Sequence, residues 1–398
     1  MMEKILYLLF SLIFAFATIS GVIRFPAFLY LSGVALFFIV CILGGGKIFL
    51  NSKVFLFFYI ICIWSVLYNN PPTYFRSFQR VLVFLLVILT FSPMIATKKL
   101  LTRRIALYDS LIIILSIYAV GSFFAYLFGI NYFVWMDIEM DMENVGHFSG
   151  LTNHSMVLGP ISAISTIFML SKSFNVSQKK TWLLFAILGL LSFCAVLMSA
   201  SRGALIATIA GVLIIVYRRA KRKGKIVKYG IGSFLVLLLS FPLWGGFASA
   251  PLQKNEANVN RGGMMSSREG KFLVRLYEIQ ENFFTGVGFA AVDPELEEID
   301  KDTGRVEPSN SWLSVFSMTG VFGFVLYVYI YFYYFYVARK KIPNIFYCDL
   351  LSGLLVFFGI HMFVEGYLLF AGNLLCGMFW LTLGVIDAKS KEEIYLEK

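Results

Sequence analysis

Arginine offers this chain most of its usable chemistry, and its placement is uneven. Arg202 stands in SASRGA, with Ser201 and Gly203 on either side. Arg76 and Arg80 lie four apart in YFRSFQR, a spacing that puts both on one face of a helix. Arg268 and Arg275 fall in SSREGKFLVRLYE, with Lys254, Arg261, Lys271, Lys301 and Arg305 in the same polar region. A guanidinium presents a planar fork of donors that matches phosphate oxygens, and it keeps its charge at physiological pH, so these residues suit a phosphate or diphosphate ligand. The competing account is anchoring, in which an arginine at a helix end snorkels to lipid headgroups. Arg202 departs from that account, because small residues flank it in a tight turn where a backbone approaches a ligand closely.

Acidic and titratable residues are fewer. Asp137, Glu139, Asp141 and Glu143 alternate in MDIEMDMEN, which on an extended segment aligns four carboxylates on one face. A divalent cation would suit that face, yet no turn glycine or fixed ligand geometry supports a cage, and a solvated acidic loop is the simpler account. His147 and His154 follow in the same region, and either has the basicity to take a proton near neutral pH. Glu365 and His361 are the ionisable groups within the apolar stretches near the C-terminus. Such groups are too scarce for the relay that an ion-coupled transporter needs, and His361 is expected to hydrogen-bond within the bundle. The five cysteines form no CxxC and no Cys/His cluster, so neither a disulfide framework nor a zinc site is expected.

The elements that position these residues follow from composition. The chain has 398 residues, 59% apolar and 14% charged, with mean hydropathy +0.78. Soluble chains carry about 25% charged residues, so the apolar excess must face lipid. About twelve stretches reach or approach the roughly 20 residues a helix needs to cross the hydrocarbon. They lie near 5–23, 26–43, 54–68, 81–97, 107–128, 156–170, 182–198, 204–217, 229–244, 312–337, 350–364 and 367–386. The expected fold is an all-α polytopic integral membrane protein, a single membrane domain over 1–398. Lys98, Lys99, Arg103, Arg104, Lys179, Lys180, the 218–228 cluster and 339–341 fall in alternate loops, which the positive-inside rule places in the cytoplasm with both termini. Most of the 34 Lys and Arg lie on that side, so the net charge of +11 needs no nucleic-acid partner. The loops 129–155 and 245–311 then face outside; the second, large loop joins helices 9 and 10 and carries a short amphipathic helix at Phe272, Leu273, Leu276, Tyr277 and Ile279.

From Gly146 onward the sequence resembles the bacterial O-antigen ligase and Wzy-type polymerase superfamily. SASRGA is similar to the family's Ser-Arg-Gly element and maps its functional arginine onto Arg202. Arg268 and Phe272, followed by TGVG with Gly286 and Gly288, resemble an Arg-xxx-Trp element ending in Gly-x-Gly. Ser309-Asn310, then nine residues, then Gly320-Val321-Phe322-Gly323 resemble the ligase pattern His-Asn-x9-Gly-x-x-Gly. Ser309 stands where the ligases have histidine, and Phe272 and Phe283 stand where Trp and Pro are usual.

The resemblance implies a GT-C-like membrane glycosyltransferase of the bacterial plasma membrane, active on its outer face. The chemistry it implies is an inverting, metal-independent transfer without cofactor. An oxygen nucleophile attacks the sugar on undecaprenyl diphosphate, and Arg202 and Arg268 stabilise the leaving diphosphate. Arg76, Arg80, Arg275, Ser309, Asn310 and the four glycines are the further substrate-binding candidates, with Glu307 or His154 as a base. The missing histidine favours a polysaccharide polymerase over a ligase; a lipid-linked glycan flippase or exporter is the alternative of another class. Expected partners are the lipid-linked glycan, membrane lipid, and chain-length regulator and flippase proteins.

Overall fold

The computed structural model describes residues 2–43, 48–130, 148–220, 266–297, 301, 302, 304, 306 and 309–392. Its helices among these residues are α1 (Met2–Thr18), α2 (Phe28–Leu43), α3 (Lys53–Asn69), α4 (Ser77–Phe91), α5 (Lys98–Leu127) and α6 (Ser155–Asn175). They continue with α7 (Lys179–Met198), α8 (Arg202–Arg219), α9 (Ser266–Glu281), α10 (Ser311–Lys340), α11 (Ile345–His361) and α12 (Leu374–Ser390). Two short strands, β1 (Phe49–Leu50) and β2 (Ile95–Ala96), pair antiparallel with Phe49 opposite Ala96 and tie the loop after α2 to the loop after α4.

Among the described residues, five helices are long and apolar enough to cross a membrane: α4 with its preceding turn, α5, α6, α7 and α10. The predicted stretch 229–244 lies outside the described residues. The other predicted stretches fall on described helices with shifted ends: α1 stops at Thr18 and α4 at Phe91, short of the predicted 23 and 97, and residues 367–373 lie outside helix, so that α12 starts only at Leu374. Asn373 explains the boundary, since its side chain caps the helix by accepting from the Leu375 N–H.

The core is organised around α12, which contacts α1, α4, α5, α10 and α11 and is buried along nearly its whole length. Its Trp380 meets Phe55 of α3, Phe58 of α3 and Phe84 of α4 at ring-centroid distances of 6.0, 6.1 and 5.7 Å. Beside it, α6, α7, α8 and α11 form a tighter group built on small residues. A methyl on Gly211 of α8 would sit 2.8 Å from the Gly353 carbonyl of α11, and Ser165 of α6 hydrogen-bonds Ser192 of α7 at 2.8 Å.

The described basic residues of the clusters that the sequence assigns to alternate loops gather at one end of the bundle, where α5, α7 and α11 begin and α8 and α10 end. There Arg104 is fully buried and donates to the carbonyls of Leu89, Thr90 and Ile95, at 2.8–3.1 Å, satisfying acceptors that the end of α4 leaves open. Arg219 binds the buried Asp349 carboxylate through Nε at 2.6 Å, and Arg218 donates to the Cys348 carbonyl at 2.8 Å, joining the end of α8 to the start of α11. Lys172 lies 4.0 Å over the Phe346 ring on the same side. The opposite end holds the starts of α6, α8, α10 and α12 and the end of α11.

Candidate functional site

The turn between α7 and α8 is narrow by construction. Ala200 adopts a positive φ of 53°, Ser199 Oγ donates to the Val196 carbonyl at 2.7 Å, and the Ser201 side chain caps α8 by accepting from the Ala204 N–H. Arg202 is therefore the first residue of α8, and it is half-buried. Two glycines seat the turn. A methyl on Gly159 of α6 would lie 2.7 Å from Ser201 Cβ, and one on Gly203 would collide with Val364, just past the end of α11. The arginine-bearing turn is thus held between α6 and the 362–367 turn that leads from α11 toward α12.

The start of α10 closes on that same 362–367 turn. Asn310 caps α10 through Oδ1, which accepts from the Leu313 N–H at 3.0 Å, while its Nδ2 donates to the Phe363 carbonyl at 2.9 Å. Ser311 donates its N–H to the Met362 carbonyl and its hydroxyl to the Glu365 carbonyl, at 2.8 and 2.7 Å, and its Oγ accepts the Tyr367 N–H at 3.1 Å. Ser309 is buried, and among the described residues its hydroxyl has no hydrogen-bond partner. Two motifs more than a hundred positions apart, SASRGA and Ser309-Asn310, are brought to one short turn. Beside it lies a cavity of about 260 Å³ whose wall includes Glu365, His361, Tyr367, Asn373, Thr18 and Met156. His361 makes the bundle hydrogen bond expected of it, with its Nδ1 3.3 Å from the Tyr367 hydroxyl, and stacks on Phe357 at 5.2 Å.

The glycine-rich segment after α9 enters the bundle as backbone. Gly320 has φ 69° and ψ −175°, which breaks α10, and its missing Cβ leaves room for the Phe284 carbonyl. The break is bridged by two main-chain bonds: Val321 N–H donates to the Phe283 carbonyl at 2.8 Å, and Val287 N–H to the Ser317 carbonyl at 2.7 Å. Gly286, at φ 67°, fits against Met318, and Gly288, at φ 108°, against Pro71. Gly323 follows one turn later, where an added methyl would collide with Thr319. Phe289, Ala290, Ala291 and Val292 then run buried, the Phe289 ring packing tilted against Phe84 with centroids 5.2 Å apart.

The other arginines divide by what they touch. Arg80 donates to the Gly304 carbonyl at 2.8 Å and the Ala290 carbonyl at 3.4 Å, so it secures the glycine-rich segment to α4. Arg76 is exposed and lies outside the helix, with φ 51° at the N-cap of α4. The pair therefore does not present one helical face, because the chain turns between Phe75 and Ser77. Arg275 is buried and binds Glu278 at 2.7 Å, with Glu297 at 3.7 Å and Ser317 Oγ at 3.4 Å. Glu278 also accepts the Asp293 N–H at 2.8 Å; burial pushes its carboxyl up from the ordinary range, and Arg275 with that N–H pulls it back. This pair clips α9 to α10 and to the loop, a role for Glu278 that its place in a charged helix did not reveal. His154 caps α6, its Nδ1 accepting from the Met156 N–H at 3.0 Å. Arg268 lies in the first turn of α9, but its side chain is outside the described residues, as are Glu307, His147 and the acidic run 137–143.

No match to a curated protein is found. Residues 184–328 match the family model described as O-Antigen ligase, a region that starts within α7, contains Arg202, Arg268, Ser309, Asn310 and Gly320, and ends within α10. Over this region, which is less than half of the chain, the sequence is similar to the O-antigen ligase family, in keeping with a membrane-embedded, glycan-processing protein.

Proposed function

We propose that this protein polymerises undecaprenyl-diphosphate-linked oligosaccharide repeat units into a surface polysaccharide, an O-antigen, capsule or exopolysaccharide, on the outer face of the bacterial plasma membrane. The observation that carries the reading is the seating of Arg202 at the start of α8, against the cavity-lining turn and at the end of the bundle away from the basic clusters. In the proposed reaction an acceptor hydroxyl attacks the anomeric carbon of the donor sugar with inversion, and the bond to the diphosphate oxygen breaks. Negative charge then builds on the diphosphate. Arg202 and Arg268 stabilise it as preorganised donors, without a metal ion, and the start of α8 adds the positive end of its dipole. Arg80 and Arg275 act indirectly, by holding the glycine-rich segment and α9 in place.

Ser309 supports polymerase over ligase, since a serine hydroxyl cannot take a proton at neutral pH as the histidine of the ligase pattern can. The ligase reading is favoured by the description of the matching family model. Purified protein in liposomes with the host's lipid-linked repeat unit separates them. Longer lipid-linked glycans in the presence of EDTA are the expected result. Transfer only to an added acceptor would make the protein a ligase, and translocation without new glycosidic bonds would make it an exporter. Abolition by EDTA with rescue by a divalent ion would return the acidic run 137–143 to consideration. Orientation is tested in the same material: a cysteine at exposed Glu295 should react with an impermeant thiol reagent from outside intact spheroplasts, and one at exposed Lys340 only after lysis.

A further inference from the structure

The 362–367 turn lies beyond the matched region 184–328, yet both motifs of that region close upon it. At its centre is Glu365. Its N–H donates to the His361 carbonyl at 3.0 Å, and its own carbonyl accepts both the Ser311 N–H at 3.2 Å and the Ser311 hydroxyl at 2.7 Å. The residue before it, Val364, is the one that fills the space beside Gly203, next to Arg202. The backbone of Glu365 is therefore fixed from three sides, by α11, by α10 and by the first turn of α8. Its half-buried side chain is part of the cavity wall.

The cavity has the chemistry of a sugar site. Glu365, Asn373 and Thr18 offer hydrogen bonds to hydroxyl groups, while Ile161 and Met378 supply an apolar surface for the C–H face of a ring. Its volume of about 260 Å³ falls just below the roughly 300–1,000 Å³ of small-molecule sites, which limits it to about one sugar residue of a glycan. Glu365 thus brings a carboxylate to the wall of this pocket, one residue away from the contact to the arginine turn.

We propose that this cavity is the subsite for the terminal sugar of the acceptor glycan and that Glu365 is the catalytic base for its attacking hydroxyl. The inference rests on the polymerase reading above and deepens it. The hydroxyl oxygen bonds to the anomeric carbon of the donor sugar as the bond from that carbon to the diphosphate oxygen breaks, the electron pair leaving with the diphosphate. The hydroxyl proton passes to the Glu365 carboxylate and then to water. Glu365 takes the role that the sequence alone assigned to Glu307 or His154.

The test uses the full chain in liposomes with the lipid-linked repeat unit. Glu365→Gln keeps the shape and removes the base, so the elongation rate at saturating donor should fall by about 10²–10⁴-fold. Protection of the protein against thermal unfolding by undecaprenyl diphosphate should stay at the wild-type level, and Glu365→Asp should recover part of the rate. Met156→Trp narrows the cavity from α6 without touching Glu365 and should also slow elongation. A Glu365→Gln protein that elongates within about threefold of wild type overturns the base assignment, since general bases contribute far more than that. If Glu365→Gln does not fold, Met156→Trp decides, and undiminished elongation by that variant overturns the subsite. Failure of the wild-type protein to lengthen any chain would overturn the polymerase reading itself, an outcome distinct from normal elongation in both variants.

Discussion

Where α8 ends, Arg219 closes on the buried carboxylate of Asp349 and Arg218 donates to the Cys348 carbonyl; where α8 begins, Arg202 is half-buried against the turn that walls a cavity. The same helix thus carries arginines in two settings. At its last turn the guanidinium groups satisfy carbonyls and a carboxylate of the protein itself, which also suits the negative end of the helix dipole. At its first turn an arginine adds positive charge to the positive end of the dipole, an arrangement that a nearby anion stabilises. The contrast also sorts arginines on the cavity side. Arg80 and Arg275 resemble those at the basic end, because their donors go to Gly304, Ala290 and Glu278. A count of arginines on one side of the membrane is therefore a poor count of ligand contacts.

The sharpest way to break this contrast is Arg202→Lys, which keeps the charge and loses the planar fork. Elongation by purified protein should fall on the order of a hundredfold to a thousandfold, with an unchanged melting temperature. A normal rate, or a loss explained by unfolding, would make Arg202 another structural arginine. Arg219→Ala should do the reverse. It leaves Asp349, 1% exposed, with Arg218 alone at 3.8 Å, so detergent-solubilised protein should melt at a lower temperature while activity per folded molecule persists. Gly320→Ala tests the break in α10; the added methyl meets the Phe284 carbonyl at a positive φ, a strain of about 1–3 kcal/mol that should lower the melting temperature and loosen α9, read by faster amide exchange there. Smallest of all, Lys301→Ala, at an exposed position outside every motif, should leave both melting and elongation unchanged. A large effect there would mean that charge on this side acts as a field rather than through Arg202.

Much of the scaffold was legible because lipid makes a strong demand on sequence. Apolar stretches of the needed length mark helices whatever their packing, and basic residues collect at one end whatever their partners. The Arg202 turn was legible for a local reason, the small residues around it. What was not legible depended on long-range closure. Nothing in YFRSFQR tells that Arg80 binds Gly304, more than two hundred positions away, or that Phe75 and Ser77 are joined by a left-handed Arg76. Arg275, a substrate-binding candidate by its place in the polar region, is instead committed to Glu278, with Ser317 beside it, contacts that no local pattern announces. The glycines at 320 and 323 pointed to close packing, but only the position of Phe284 shows that a whole loop backbone enters there. Glu365 was visible as an ionisable group in an apolar stretch, whereas its meeting with α8 and α10 required the folded chain.

The order in which these contacts become available along the chain has a consequence for biosynthesis. The break in α10 is bridged by residues 283–287, which precede α10 and so emerge from the ribosome before it. That repair is local, and the α9–α10 unit can form as soon as α10 is inserted. The seating of Arg202 and Asn310 is different, because both await Phe363 and Val364. A nascent chain that has emerged only through Lys340 carries every described residue of the matched region but lacks the turn that gathers its two motifs. The gathering of the two motifs is thus deferred until α11 and the turn after it have been made, and a membrane-bound fragment ending before α11 lacks the contacts that bring them together.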